Sequence, residues 1–139
     1  MNLGLGFALS LLVTVALLAL VVVTGIRRKR SAHYVGVTAF FVSLGASIWL
    51  ARAFGASGGG LHFEAARTTQ LLHRIAIGVT FVLVLPLVVS GFRLAKAKGP
   101  TEPARRKSHH GLAIAFVVMF LLTSALGAVM TWQALAATG

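Results

Sequence analysis

The sequence predicts an all-α fold: an integral membrane four-helix up-down bundle, with its N-terminus and C-terminus both outside. Three observations predict it. Hydrophobic residues make up 58% of the 139 positions and charged ones only 11%, too little polar surface for a water-soluble fold of this size. The apolar residues fall into four runs of the ~20 residues needed to cross a bilayer. The basic residues gather in two of the three connections between those runs. Backbone groups in lipid must bond within their own segment, which makes the spans helices, and short connections make neighbours antiparallel. The whole chain, 1–139, reads as a single membrane domain.

The first span covers about residues 3–26 and is ended by Arg27-Arg28-Lys29-Arg30. A secretory signal places its basic residues before the apolar stretch, whereas these follow it, so a retained span with a translocated N-terminus is expected. The second covers about 33–54 and ends in the loop GASGGG; Ala39, Ser43 and Ser47 form a small-residue stripe along it that permits close helix contact. The third covers about 71–94, after a polar stretch at 64–70. Pro86 interrupts it, removing one intrahelical bond and clashing with the carbonyl of residue 82, which predicts a kink near mid-membrane and room for a pocket. The fourth covers about 109–135, after a loop carrying Pro100, Pro103 and Arg105-Arg106-Lys107, and offers Ser124, Ala125, Gly127 and Ala128 as small packing residues.

The basic residues set the orientation. Arg27, Arg28, Lys29 and Arg30 lie in the first connection, and Arg93, Lys96, Lys98, Arg105, Arg106 and Lys107 in or beside the third. Only Arg52, Arg67 and Arg74 lie on the other side. Both basic connections are therefore cytoplasmic by the positive-inside rule, and the expected location is multi-pass in a bacterial cytoplasmic (inner) membrane. The net charge of +11 is then topological, with some attraction to anionic lipid head groups and no nucleic-acid partner. The absence of cysteine excludes disulfides, thiolate metal sites, iron–sulfur clusters and covalently attached c-type haem.

Each of the last three runs opens with an imidazole. His33 begins the second and His109 and His110 begin the fourth, all at the cytoplasmic face; His73 begins the third at the outer face, with His62 in the loop before it. The two groups are separated by close to the ~30 Å of a hydrocarbon core, so no single ion or haem bridges them. His33, His110, His109 and His73 are the candidate cofactor-binding residues. A b-type haem takes two neutral imidazoles from facing helices. His33 shares a face with Gly36, Val37, Phe40, Ser43 and Ser47, and His110 with Ala113, Ile114, Val117, Leu121 and Ser124. His109 lines up instead with Phe116, Phe120, Thr123 and Gly127. Small residues one turn below an imidazole leave space for a porphyrin edge. Copper is a less well supplied alternative, since the softer ligands that hold Cu(I) are scarce and Met119 and Met130 read as packing or lipid-facing residues. The histidines also fit a role without any cofactor, as amphipathic groups at the membrane interface alongside Tyr34, Trp49 and Trp132.

Other chemistry is sparse. Glu64 could bond Arg67 or Arg74, Glu102 reads as a solvated loop residue, and no acid lies inside a span. The chain has no nucleophile with a positioned base, and GASGGG lacks the lysine and following helix of a phosphate-binding loop. Enzymatic activity is not expected.

The segments KRSAHYVGVTAFFVSLGASIWLARAFG, LLHRIAIGVTFVLVLPLVV and ARRKSHHGLAIAFVVMFLLTSALGAVMTW resemble the small four-span CtaM/YozB-like membrane proteins over about residues 27–133. The resemblance implies a part in maturation of haem-copper terminal oxidases. In it, His33, His73 and His109 or His110 match the histidines that open the family's second, third and fourth spans, and Gly127 falls near the glycine of its last span. The final span here carries fewer aromatic residues than that family's, and the loop before the third is richer in glycine. A more distant likeness is to bis-histidine cytochromes of the cytochrome b561 kind, whose histidines lie deeper in the membrane. Three roles stay open: oxidase maturation or haem handling, b-type electron transfer, and an accessory structural subunit of a large respiratory or photosynthetic complex. In each, the expected partners are other integral membrane subunits and the lipid bilayer.

Overall fold

The computed structural model describes residues 3–56, 66–97 and 103–137. The fold is all-α, and the described residues form four helices: α1 Leu3–Ile26, α2 Arg30–Ala56, α3 Arg67–Lys96 and α4 Pro103–Ala136. All four are long and apolar enough to cross a membrane, so this is a multi-pass membrane protein. The chain forms two compact units, Met1–Gly60 and Leu61–Gly139. The first is the hairpin of α1 and α2, the second that of α3 and α4. Within each hairpin the helices run antiparallel: Thr14 meets Ser47 while Val21 meets His33, and Thr80 meets Thr123 while Ser90 meets His109.

Helix α1 keeps the bounds of its apolar run, but the others begin earlier than theirs. Helix α4 starts at Pro103, where a proline lacking its N–H costs nothing, and it continues through Arg105, Arg106 and Lys107, which the hydropathy pattern assigns to a loop. Hydropathy marks where lipid ends, whereas Arg and Lys are good helix formers that carry the coil on into the head-group region. The histidines accordingly do not open their helices. His33 closes the first turn of α2, and His73 and His109 lie in the second turns of α3 and α4. Helix α3 runs on through Pro86, whose ring is exposed. His62, Glu64, Pro100, Glu102 and most of GASGGG lie outside the described residues, as do the expected Glu64 ion pairs.

Hydroxyls sit among the buried side chains of both hairpins, while many large apolar side chains face outward. Thr14 is fully buried, Ser47 and Thr80 nearly so, while Leu12, Val35, Val42, Val82 and Leu85 are mostly exposed. Water would impose the reverse, and lipid accounts for it, because helices in a bilayer associate by close packing and hydrogen bonds rather than by burying leucine. Thr14 Oγ1 lies 2.7 Å from Ser43 Oγ and 3.0 Å from Ser47 Oγ across the first hairpin. Thr80 Oγ1 lies 3.1 Å from Thr123 Oγ1 across the second. Phe40, Phe116 and Phe120 are also buried, on helices α2 and α4. Tyr34, Trp49 and Trp132 are exposed, as interfacial anchors are.

Candidate functional site: histidines clasped to glycines

Three imidazoles are held in one recurring way. His33 Nδ1 lies 3.0 Å from the Val21 carbonyl of α1, and His73 Nδ1 lies 2.9 Å from the Thr123 carbonyl of α4. A carbonyl only accepts, so each Nδ1 carries a proton, and in the neutral ring this selects the tautomer whose Nε2 keeps its lone pair. In both cases the ring lies over the glycine four residues beyond that carbonyl, Gly25 or Gly127. A methyl group on Gly25 would stand 3.2 Å from His33 Cε1, and one on Gly127 would stand 3.1 Å from His73 Cε1. A side chain at either glycine would push the ring back from the helix backbone by a few tenths of an ångström.

His109 repeats the arrangement through an intermediary. Its ring lies over Gly91 of α3, and its Nδ1 is 2.8 Å from Ser90 Oγ. Ser90 donates its single hydrogen to the Leu87 carbonyl at 2.8 Å, so His109 Nδ1 is the donor to Ser90. Leu87 stands in the same relation to Gly91 as Val21 does to Gly25. Interhelical hydrogen bonds in membranes average about 0.6 kcal/mol and reach about 1.7, so each clasp supports its hairpin modestly.

The likeness extends along both hairpins. VVTGIR at 22–27 and VVSGFR at 88–93 close α1 and α3 in the same pattern. The interval from Gly25 to Gly91 also takes Thr14 to Thr80 and Thr24 to Ser90. A second common interval takes His33 to His109, Phe40 to Phe116 and Ser47 to Thr123. The second hairpin is thus a repeat of the first, in buried hydroxyls, buried phenylalanines and histidine clasp alike. By the same intervals His73 and Gly127 correspond to Phe7 and Ala51, so the fourth clasp position of the repeat holds no histidine.

The structure sorts the expected site residues. His33, His73 and His109 are half-buried against a partner helix, and His110 is exposed, turned about 100° around α4 from the line of His109 with the buried Phe116 and Phe120. His109 rather than His110 therefore faces the hairpin interior. On the face below His33, a methyl group on Gly36 would stand 3.3 Å from Val21 Cγ2, so Gly36 lets α1 pack closely against α2 at that level. Between His73 and Ser90, which marks the His109 level on α3, the rise of the helix is about 25 Å, so the two clasps of this hairpin cannot share one ligand. Among the described residues no three of His, Cys, Asp and Glu come together. Gly25, Gly91 and Ser90 were not among the expected site residues, although the paired VVTGIR and VVSGFR segments mark them.

Known protein families, curated proteins and solved structures offer no match to this chain. The likeness to the CtaM/YozB-like proteins thus rests on the histidine-led segments themselves.

Proposed function

We propose that this protein handles haem in a bacterial cytoplasmic membrane, binding it through clasped histidines during the maturation of a haem-copper oxidase. One observation carries the reading. His33 and His73 each commit Nδ1–H to a backbone carbonyl, which fixes the ring and leaves Nε2 as the basic nitrogen. That is the outer-sphere arrangement that orients an imidazole ligand and raises its basicity toward a metal. The donor set suits haem better than a bare ion. An ion held by protein alone needs several ligands together, whereas haem brings its own equatorial nitrogens and asks the protein for one or two axial imidazoles. When bound, the iron would supply the redox chemistry, and this chain's part is to hold, orient and release. His33 is the axial ligand expected of the first hairpin, and His109, its equivalent in the repeat, and His73 are those expected of the second.

A second reading is favoured by the same clasps seen as structure. Histidine–glycine contacts and hydroxyl pairs hold helices together in lipid, and an accessory subunit of a larger membrane complex needs nothing more.

Haem titration of the purified chain in mild detergent separates the two. Haem handling predicts a Soret shift that is weakened by His33→Ala or His73→Ala and kept by His110→Ala, together with low oxidase activity in cells lacking the protein. A haem spectrum unmoved by any of the clasp substitutions would remove the proposal and leave the accessory subunit. Copper titrated in parallel would reassign the ligand if it alone responds to the same variants.

A further inference from the structure

We infer that the turn between α1 and α2 is a binding site for the head group of an anionic phospholipid, centred on Arg28. This inference stands apart from the haem reading.

Four cations follow one another there, Arg27, Arg28, Lys29 and Arg30, and all four are exposed. The chain has two acids in all, Glu64 and Glu102, so the hairpin of α1 and α2 contains none. Adjacent like charges repel, and these have no counter-ion within their own hairpin, so the compensating charge must come from outside. The turn follows directly on the apolar span ending at Ile26, which sets it at head-group level.

The backbone supplies the second argument. Lys29 N–H bonds the Thr24 carbonyl at 3.0 Å and Arg28 N–H bonds the Gly25 carbonyl at 3.1 Å. This is a Schellman close of α1, with Arg28 at the left-handed position, φ 55°. Glycine is the residue that position favours, and a branched-off side chain there is strained. A charge needed only for orientation in the membrane could sit at any of the neighbouring unstrained positions. An arginine kept where glycine fits better points to a ligand for that particular guanidinium. A phospholipid phosphate, which arginine grips in bidentate fashion, is the anion available at this depth.

The test uses the full chain in a neutral mild detergent, titrated with phosphatidylglycerol and, separately, with phosphatidylcholine, and read by native mass spectrometry. The wild type binds phosphatidylglycerol preferentially. Arg28→Gly binds it about fivefold more weakly, the loss expected for one surface cation, whereas Arg28→Lys, which keeps the charge without the bidentate fork, recovers only part of it and Arg52→Gln, at the far end of α2, keeps all. Arg28→Gly should also melt higher than wild type without lipid, because it relieves the left-handed strain, so its lost binding cannot be blamed on misfolding. Equal binding of the two lipids, unchanged binding by Arg28→Gly, or displacement of the lipid by millimolar inorganic phosphate would each overturn the inference, the last by assigning the site to a free anion.

Discussion

Replacing Gly127 by alanine, and separately Gly91 by alanine, should move stability in opposite directions. Each change substitutes alanine for glycine inside a helix, which by itself favours the folded state by about 0.5–1 kcal/mol. At Gly91 the new methyl group would stand 3.4 Å from His109 Cε1, an ordinary contact, so the gain is kept. At Gly127 it would stand 3.1 Å from His73 Cε1, well inside the ~3.5 Å at which carbon atoms attract. The ring must retreat by a few tenths of an ångström. Its hydrogen bond to the Thr123 carbonyl then stretches from 2.9 Å toward the ~3.2 Å limit of a good N–H···O bond. Losing much of a bond worth about 0.6–1.7 kcal/mol, with residual crowding, outweighs the gain from alanine. Gly127→Ala should therefore be less stable than Gly91→Ala by about 1 kcal/mol, or about 3 °C in a melt. Gly25→Ala, at 3.2 Å from His33 Cε1, should fall between them. Thermal unfolding in mild detergent measures all three. A Gly127→Ala variant as stable as Gly91→Ala would refute the clasp geometry, since alanine propensity is common to both.

Two further outcomes follow from the same contacts. His109→Ala should lose about 1 kcal/mol, the bond to Ser90 with its packing, while His110→Ala should stay within about 0.5 kcal/mol of wild type; the reverse order in paired melts would exchange their assigned faces. Phe7→His with Ala51→Gly should build the missing fourth clasp. A double-mutant cycle should then give favourable coupling of about 1 kcal/mol, and zero coupling would break the correspondence between the hairpins.

Much of the fold is legible in the sequence, because a bilayer demands long apolar helices and little else. The run at 3–26 coincides with α1. The other runs stop short of their helices for one reason: segments such as Pro103–Lys107 and Arg67–Gln70 are polar yet helical, and hydropathy reports solvent, not backbone. The histidines are legible as a class and only partly as a site. His109 and His110 are neighbours about 100° apart around one helix, and both faces mix small and large apolar residues, so only the partner helix decides between them. That partner is a glycine far along the chain, and the register that brings Gly91 to His109 or Gly127 to His73 is set by interhelical packing. The repeated VVTGIR and VVSGFR segments do announce two of the three clasps, once the hairpins are aligned. The buried hydroxyls of Thr14, Ser47 and Thr80 are the other feature that a search for apolar cores passes over.

The most direct test is a histidine ¹⁵N spectrum of the intact protein in mild detergent, recorded before and after adding haem. The clasp geometry predicts the Nδ1-protonated tautomer for the neutral rings of His33 and His73, with Nε2 signals of the ligating rings lost or shifted when haem is added. Neutral rings protonated at Nε2 instead, or Nε2 signals that haem leaves untouched, would contradict it.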